Sequence, residues 1–172
     1  KLLDNKDSFA AKYSLVDFDF DSTSPFIEGT SFWNPMVERK KVVTNDLTFG
    51  AHHPHSLIVT GPNAGGKSTI LRSITLSLLL GQSYGIAPAS YLKMTPFSRM
   101  ISHMNISDDV AADLSLFKAE VYRAKETLSD LFRLRSDEFA FIMMDEVFVG
   151  TNPREGEGAA FSVIEKIGHY PQ

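Results

Sequence analysis

The 172-residue sequence contains no cysteine. That excludes disulfide scaffolds, thiolate zinc sites, iron–sulfur clusters and cysteine nucleophiles. It also fits a reducing compartment. Positive charge is not in excess: 17 Lys and Arg face 21 Asp and Glu, for a net charge of −4. A wholly basic domain that coats nucleic acid is therefore excluded, and only a local basic patch remains possible. No apolar run approaches the roughly 18 residues needed to span a membrane. The longest, around Leu76 to Leu80, belongs to a helix with polar neighbours. The N-terminal residues have no apolar signal-peptide core. Internal repeats and low-complexity tracts are also lacking. What is present is core-building material, 43% hydrophobic and 22% charged, in a length that suits one domain.

Residues 1–12 read as the end of a helix. Val16 to Asp21 alternates apolar and acidic residues with period two, which predicts a half-buried strand with Asp17, Asp19 and Asp21 on its solvated face. Residues 26–49 read as further short strands, including Lys41 to Val43 and Leu47 to Phe49. His52, His53 and His55 fall in a polar loop interrupted by Pro54. Ser56 to Thr60 is a β-type run, followed by a helix from about Lys67 to Gln82. Residues 83–104 are broken by Gly85, Pro88 and Pro96. A second helix is predicted over about Leu114 to Arg135, with Leu114, Phe117, Val121, Leu128, Leu131 and Phe132 at helical spacing. Phe139 to Met144 is apolar throughout, as a buried parallel strand would be. Gly150 to Gly158 reads as a loop and Ala159 to Ile167 as a helix. The pattern is α/β, with a β-rich part first.

Gly61-Pro62-Asn63-Ala64-Gly65-Gly66-Lys67-Ser68 satisfies G-x-x-x-x-G-K-S/T between a predicted strand and a predicted helix. Glycines let such a loop wrap closely, so that backbone N–H groups point at phosphate oxygens. The helix N-terminus adds partial positive charge. Lys67 is placed for the β- and γ-phosphates, the Ser68 hydroxyl for Mg²⁺, and the Thr69 hydroxyl for a neighbouring phosphate. Asp145 and Glu146 follow the second apolar strand, where acids lie over a nucleotide crevice. Asp145 is the candidate Mg²⁺ ligand and Glu146 the candidate base for an attacking water. No N-K-x-D base-reading motif follows the loop, which disfavours a GTPase. The Asp-Glu pair favours an ATPase, and the absence of L-S-G-G-Q disfavours a transporter subunit.

These residues resemble the MutS family of DNA mismatch-repair ATPases, within the ABC ATPase superfamily. Gly61 to Thr69 looks like that family's phosphate loop. Leu3-Asp4 with Ser8 to Ala10 is similar to the helix entering its ATPase domain. Ala87-Pro88-Ala89 is similar to its V-P-A segment, and Ser107 to Asp109 with Ser115, Phe117 and Glu120 to its signature region. Met144-Asp145-Glu146 resembles its Walker B strand. Gly150-Thr151-Asn152 with Gly156 resembles its G-T-S-T loop.

The resemblance implies a P-loop, ABC-ATPase-like fold: a parallel sheet flanked by helices, with an N-terminal β-rich subdomain. It places the end of a preceding helical region at 1–12 and the ATPase domain at 13–172, with its last strands and switch histidine beyond. Lys67, Ser68, Thr69, Asp145 and Glu146 would bind and hydrolyse Mg²⁺–ATP. Ser115 would touch the γ-phosphate of ATP in a partner subunit, with Thr151 and Asn152 at the interface of a homodimer or MutS-like heterodimer. ATP-driven closure would couple to mismatched or branched DNA held by other domains, inside the cell, in cytoplasm or nucleus. Two departures stand out. Asp113 replaces the signature glycine and brings negative charge beside an anion. Val42 occupies the adenine-stacking slot, leaving Phe26, Phe32 and Trp33 as alternatives or as core. Asn152 to Gly156 is closer to MutS-like proteins not tied to mismatch repair. The alternatives are a nucleotide-gated dimerisation module with little hydrolysis, or a role in recombination.

Overall fold

The computed structural model describes residues 12–62, 64–104 and 116–170. The chain divides into two compact units, Lys1–Pro96 and Phe97–Gln172. The predicted helix over 1–12, Asn63, the Ser107 to Asp109 segment, Asp113, Leu114 and Ser115 lie outside the described residues, Lys12 excepted.

The first unit is a five-stranded sheet with one long helix. Strands β1 (Ser14–Phe18), β2 (Phe26–Phe32) and β3 (Asn45–Gly50) precede helix α1 (Lys67–Tyr84). Strands β4 (Ile86–Ala87) and β5 (Tyr91–Met94) follow it. The order is β3-β2-β5-β1-β4. Only β1 and β5 run parallel, with Val16 opposite Leu92 and Phe18 opposite Met94; the other pairs are antiparallel. Ile27, Leu92 and Met94 are fully buried, each contributing about 1.5–3 kcal/mol by leaving water.

A bulge in β2 between Gly29 and Phe32, with Ser31 in the left-handed region (φ 54°), folds the Phe32 ring over Gly29. A side chain at residue 29 would collide with that ring, so the glycine is required there. Trp33 is buried, and its indole Nε1–H donates to the Lys12 carbonyl at 2.6 Å. Phe32 and Trp33 are therefore core aromatics. Helix α1 turns a face of small and apolar residues inward: Ser73, Ile74, Ser77, Leu78 and Gly81. The buried serines donate back to carbonyls four residues earlier, Ser73 to Thr69 and Ser77 to Ser73, both at 2.8 Å. Gly81 lies against Val16 on β1, where an added Cβ would come within 3.0 Å.

The second unit pairs β6 (Arg99–His103) with β7 (Ala140–Met144) in parallel, from Arg99 opposite Ala140 to His103 opposite Met144. Helices α2 (Leu116–Phe132) and α3 (Pro153–Gly168) complete it. Phe139, Phe141 and Met143 are buried, so the apolar run is a strand with a parallel neighbour, as its composition predicted.

Several expectations are corrected. Ser56 to Thr60 forms no strand: Leu57 and Ile58 are 56% and 76% exposed. β-propensity describes fit to a pleated, half-buried surface, and within its own unit the run has none. The first strand ends at Phe18 and leaves Phe20 78% exposed. Arg39 to Lys41 is a single 3-10 turn, so no strand spans 41–43. The broken stretch 83–104 contains three strands, and α3 begins at Pro153 instead of Ala159. Helix α2 buries Glu120, Ala124, Thr127 and Leu131, while Val121 and Phe132 are exposed. Among the described residues no helix is long and apolar enough to cross a membrane.

Candidate functional site

The glycine-rich loop is exposed on the first unit and leads directly into α1. Its two adjacent glycines are needed for different reasons. At Gly65 the backbone approaches closely: its N–H donates to the Pro62 carbonyl at 3.0 Å, and a Cβ would sit 2.9 Å from that oxygen. At Gly66 space is open, but φ is +88°, a conformation that side chains disfavour. Ala64 is also left-handed, at φ 64°. The Lys67 ammonium donates to the Gly61 and Pro62 carbonyls at 2.9 and 3.0 Å, which draws the cation over the loop.

Gly66 is the N-cap of α1, and no side chain caps this end. The first-turn N–H groups have no partners within the helix, and the helix dipole is positive here. The Ser68 hydroxyl is half-buried and Thr69 is exposed. The chemistry is that of an anion receptor: a cation, unpaired backbone donors and two hydroxyls on one short segment.

The acidic candidates lie in the second unit. Asp145 continues the parallel ladder, its N–H donating to the His103 carbonyl at 3.0 Å, and it is half-buried. Glu146 is exposed and left-handed, with φ +52°. Phe148, two residues on, is buried and also left-handed at φ +59°. Such backbone costs about 1–3 kcal/mol per residue and persists only where surroundings hold it.

Three features supply that hold. Gly150 packs against the first turn of α2, leaving no room for a Cβ beside the Phe117 backbone. Gly156 packs equally closely on the Phe148 carbonyl. Glu120 on α2 is 3% exposed, and its two carboxylate oxygens accept from Val149 N at 3.0 Å and Gly150 N at 3.1 Å. Asn152 then starts α3: its Oδ1 accepts from Glu155 N at 3.0 Å, with Pro153 at the first helical position. The Asn-Pro-x-Glu spacing is a capping signal and accounts for the earlier start.

His103 closes β6 beneath this turn. Its Nε2 lies 2.7 Å from Thr127 Oγ1, which itself donates to the Arg123 carbonyl. Thr127 has thus spent its proton, so His103 donates through Nε2–H. Burial, with help from Arg123 and against Glu126, holds the His103 pKa below its usual 6.5. Among the described residues no three His, Asp or Glu side chains converge as a metal cluster. His52, His53 and His55 are simply exposed in their loop.

Residues 57–171, two thirds of the chain, match the family model of MutS domain V. The chain belongs to the MutS domain V family.

Relatives of this MutS domain V fall in several branches. Endonuclease MutS2 of Levilactobacillus brevis is 31% identical over 150 residues, covering 81% of this chain and 18% of the relative. DNA mismatch repair protein MSH3 of Vanderwaltozyma polyspora is 27% identical over 150 residues, covering 86% and 14%. MutS protein homolog 4 of Mus musculus is 30% identical over 172 residues, covering 96% and 17%. The chain thus spans less than a fifth of the length of these curated relatives. The resemblance drawn from the phosphate loop and the Asp-Glu strand is therefore correct at the level of family.

Proposed function

We propose that this MutS domain V binds and hydrolyses ATP with Mg²⁺ and uses ATP to control association with a second MutS-like subunit. The observation that carries the reading is the loop from Gly61 to Ser68. Two glycines answer two separate constraints, a lysine is drawn over the loop, and the helix start behind it is uncapped. A triphosphate satisfies those donors. Lys67 neutralises charge on the β- and γ-phosphates, and the first-turn N–H groups and Thr69 bind phosphate oxygens.

Ser68 and Asp145 are the oxygen donors we assign to Mg²⁺, which when bound supplies further charge neutralisation at the phosphates. The donor set fits the ion, since hard oxygens from one hydroxyl and one carboxylate leave room for waters and phosphate. Glu146 orients the attacking water and takes its proton. Ser115 and the Thr151-Asn152 segment would meet the partner subunit. We assign no DNA contact to Arg39 to Lys41, a short basic run in which Lys41 pairs with Glu38 at 2.8 Å. The setting favoured is DNA mismatch repair, which the MSH3 relative carries in its name, with recombination as the alternative.

The test is calorimetric titration of ATP with Mg²⁺, together with phosphate release. Lys67→Ala should weaken nucleotide binding about tenfold to a hundredfold, the worth of a charge-assisted hydrogen bond or two. Glu146→Gln should bind as the parent does and hydrolyse about 10²–10⁴ times more slowly. No binding heat from the folded parent would end the proposal. Binding without turnover in the parent would leave the dimerisation module as the better description.

A further inference from the structure

The buried carboxylate of Glu120 has no part in the chemistry just assigned, yet both of its oxygens are committed. They accept from two consecutive backbone N–H groups, Val149 and Gly150. Those residues end the turn that begins with Asp145 and Glu146 and contains two left-handed non-glycine residues. A chain left to itself relaxes out of such conformations. Here it is fixed from α2 through one charged acceptor, which forms stronger hydrogen bonds than a neutral one. The Phe117 and Phe148 rings, 6.2 Å apart, and the close approach of Gly150 to α2 fix the same segment by packing.

We propose that Glu120 is a positioning residue: by holding the N–H groups of Val149 and Gly150 it sets the turn that presents Asp145 and Glu146, and so controls the rate of hydrolysis without touching nucleotide. The catalytic half of this statement rests on the reading of Glu146 given above. The geometric half does not.

The two halves are tested in the whole chain with Glu120→Ala and Glu120→Gln. Gln keeps one acceptor and presents an NH₂ to the second N–H, so it is the milder, near-isosteric change. Amide hydrogen exchange should show Val149 and Gly150 protected in the parent. Both should exchange at least tenfold faster in Glu120→Ala, and one of them in Glu120→Gln. Unchanged protection in folded variants would overturn the proposal. For catalysis, Glu120→Ala should lower kcat about 10²-fold, the scale of a small misplacement of a reacting group. Glu120→Gln should fall between it and the parent, and both should bind ATP with the parent's Kd. A parallel loss of ATP affinity, or unchanged kcat in folded variants, would overturn the positioning role. If the parent itself shows no turnover, the hydrolysis reading fails instead, and the exchange data still decide whether Glu120 holds the turn. Should Glu120→Ala not fold, Glu120→Gln carries both measurements.

Discussion

Replacing Glu146 by glycine should make the protein more stable while ending its proposed activity. Glu146 is exposed, so truncation removes little buried surface. Its φ of +52° is left-handed, which costs a residue with a Cβ about 1–2 kcal/mol. Glycine escapes that cost but gives the unfolded chain more freedom, worth about 0.4–1 kcal/mol in the opposite sense. The difference favours the Glu146→Gly fold by about 0.5–1 kcal/mol, or a rise of about 1–4 °C in Tm for a chain of this size. Glu146→Ala is the control. It removes the same carboxylate but keeps the left-handed penalty, so its stability should stay within about 0.5 kcal/mol of the parent. Thermal unfolding followed by far-ultraviolet circular dichroism reads the order Gly above Ala. Phosphate release should be lost in both. If Glu146→Gly melts below Glu146→Ala, residue 146 is not held left-handed and the argument that strain is concentrated at this turn is wrong.

Two other outcomes follow from the second unit. His103 has a folded-state pKa below its usual 6.5, so its contribution to stability is complete above that pH. As pH falls from 6.5 toward the lowered folded value, the unfolded chain takes up the proton first and stability is lost. His103→Gln should show a smaller drop in Tm between pH 8 and pH 5 than the parent, and equal drops would contradict the burial-driven shift. Asn152→Ala removes the acceptor for Glu155 N and should cost about 1 kcal/mol in urea unfolding, while Asn152→Ser recovers most of it; equal midpoints for all three would refute the cap.

The acidic turn shows why some of the site could be read from residue order and some could not. A loop of glycines followed by Lys-Ser is a local object: its turn, its donors and the helix start all depend on neighbours within a few residues. The same holds for the Asn152 cap, whose Asn-Pro-x-Glu spacing spans four adjacent residues. Glu120 belongs to the segment that resembles the signature region, but nothing local marks it as buried. A glutamate in a helix normally faces water, and only the arrival of Val149 and Gly150, about thirty residues later, makes it a buried acceptor. Thr127 and His103 are alike in this respect, since each is explained by the other across 24 residues. The apolar spacing of α2 predicts a helix, yet its buried side is set by the turn and strand it packs on.

Taken alone, the order of residues determined the α/β character, the tight glycine turn of Gly65 and Gly66, the helix behind it and the apolar strand that ends in two acids. Each depends on backbone conformational preference or on chemistry carried by adjacent residues. Tertiary structure decided the partner of that strand, the inward side of α2 and the left-handed turn at Glu146. Those depend on hydrogen-bond acceptors and packing surfaces supplied from distant parts of the chain, whose proximity no local pattern encodes.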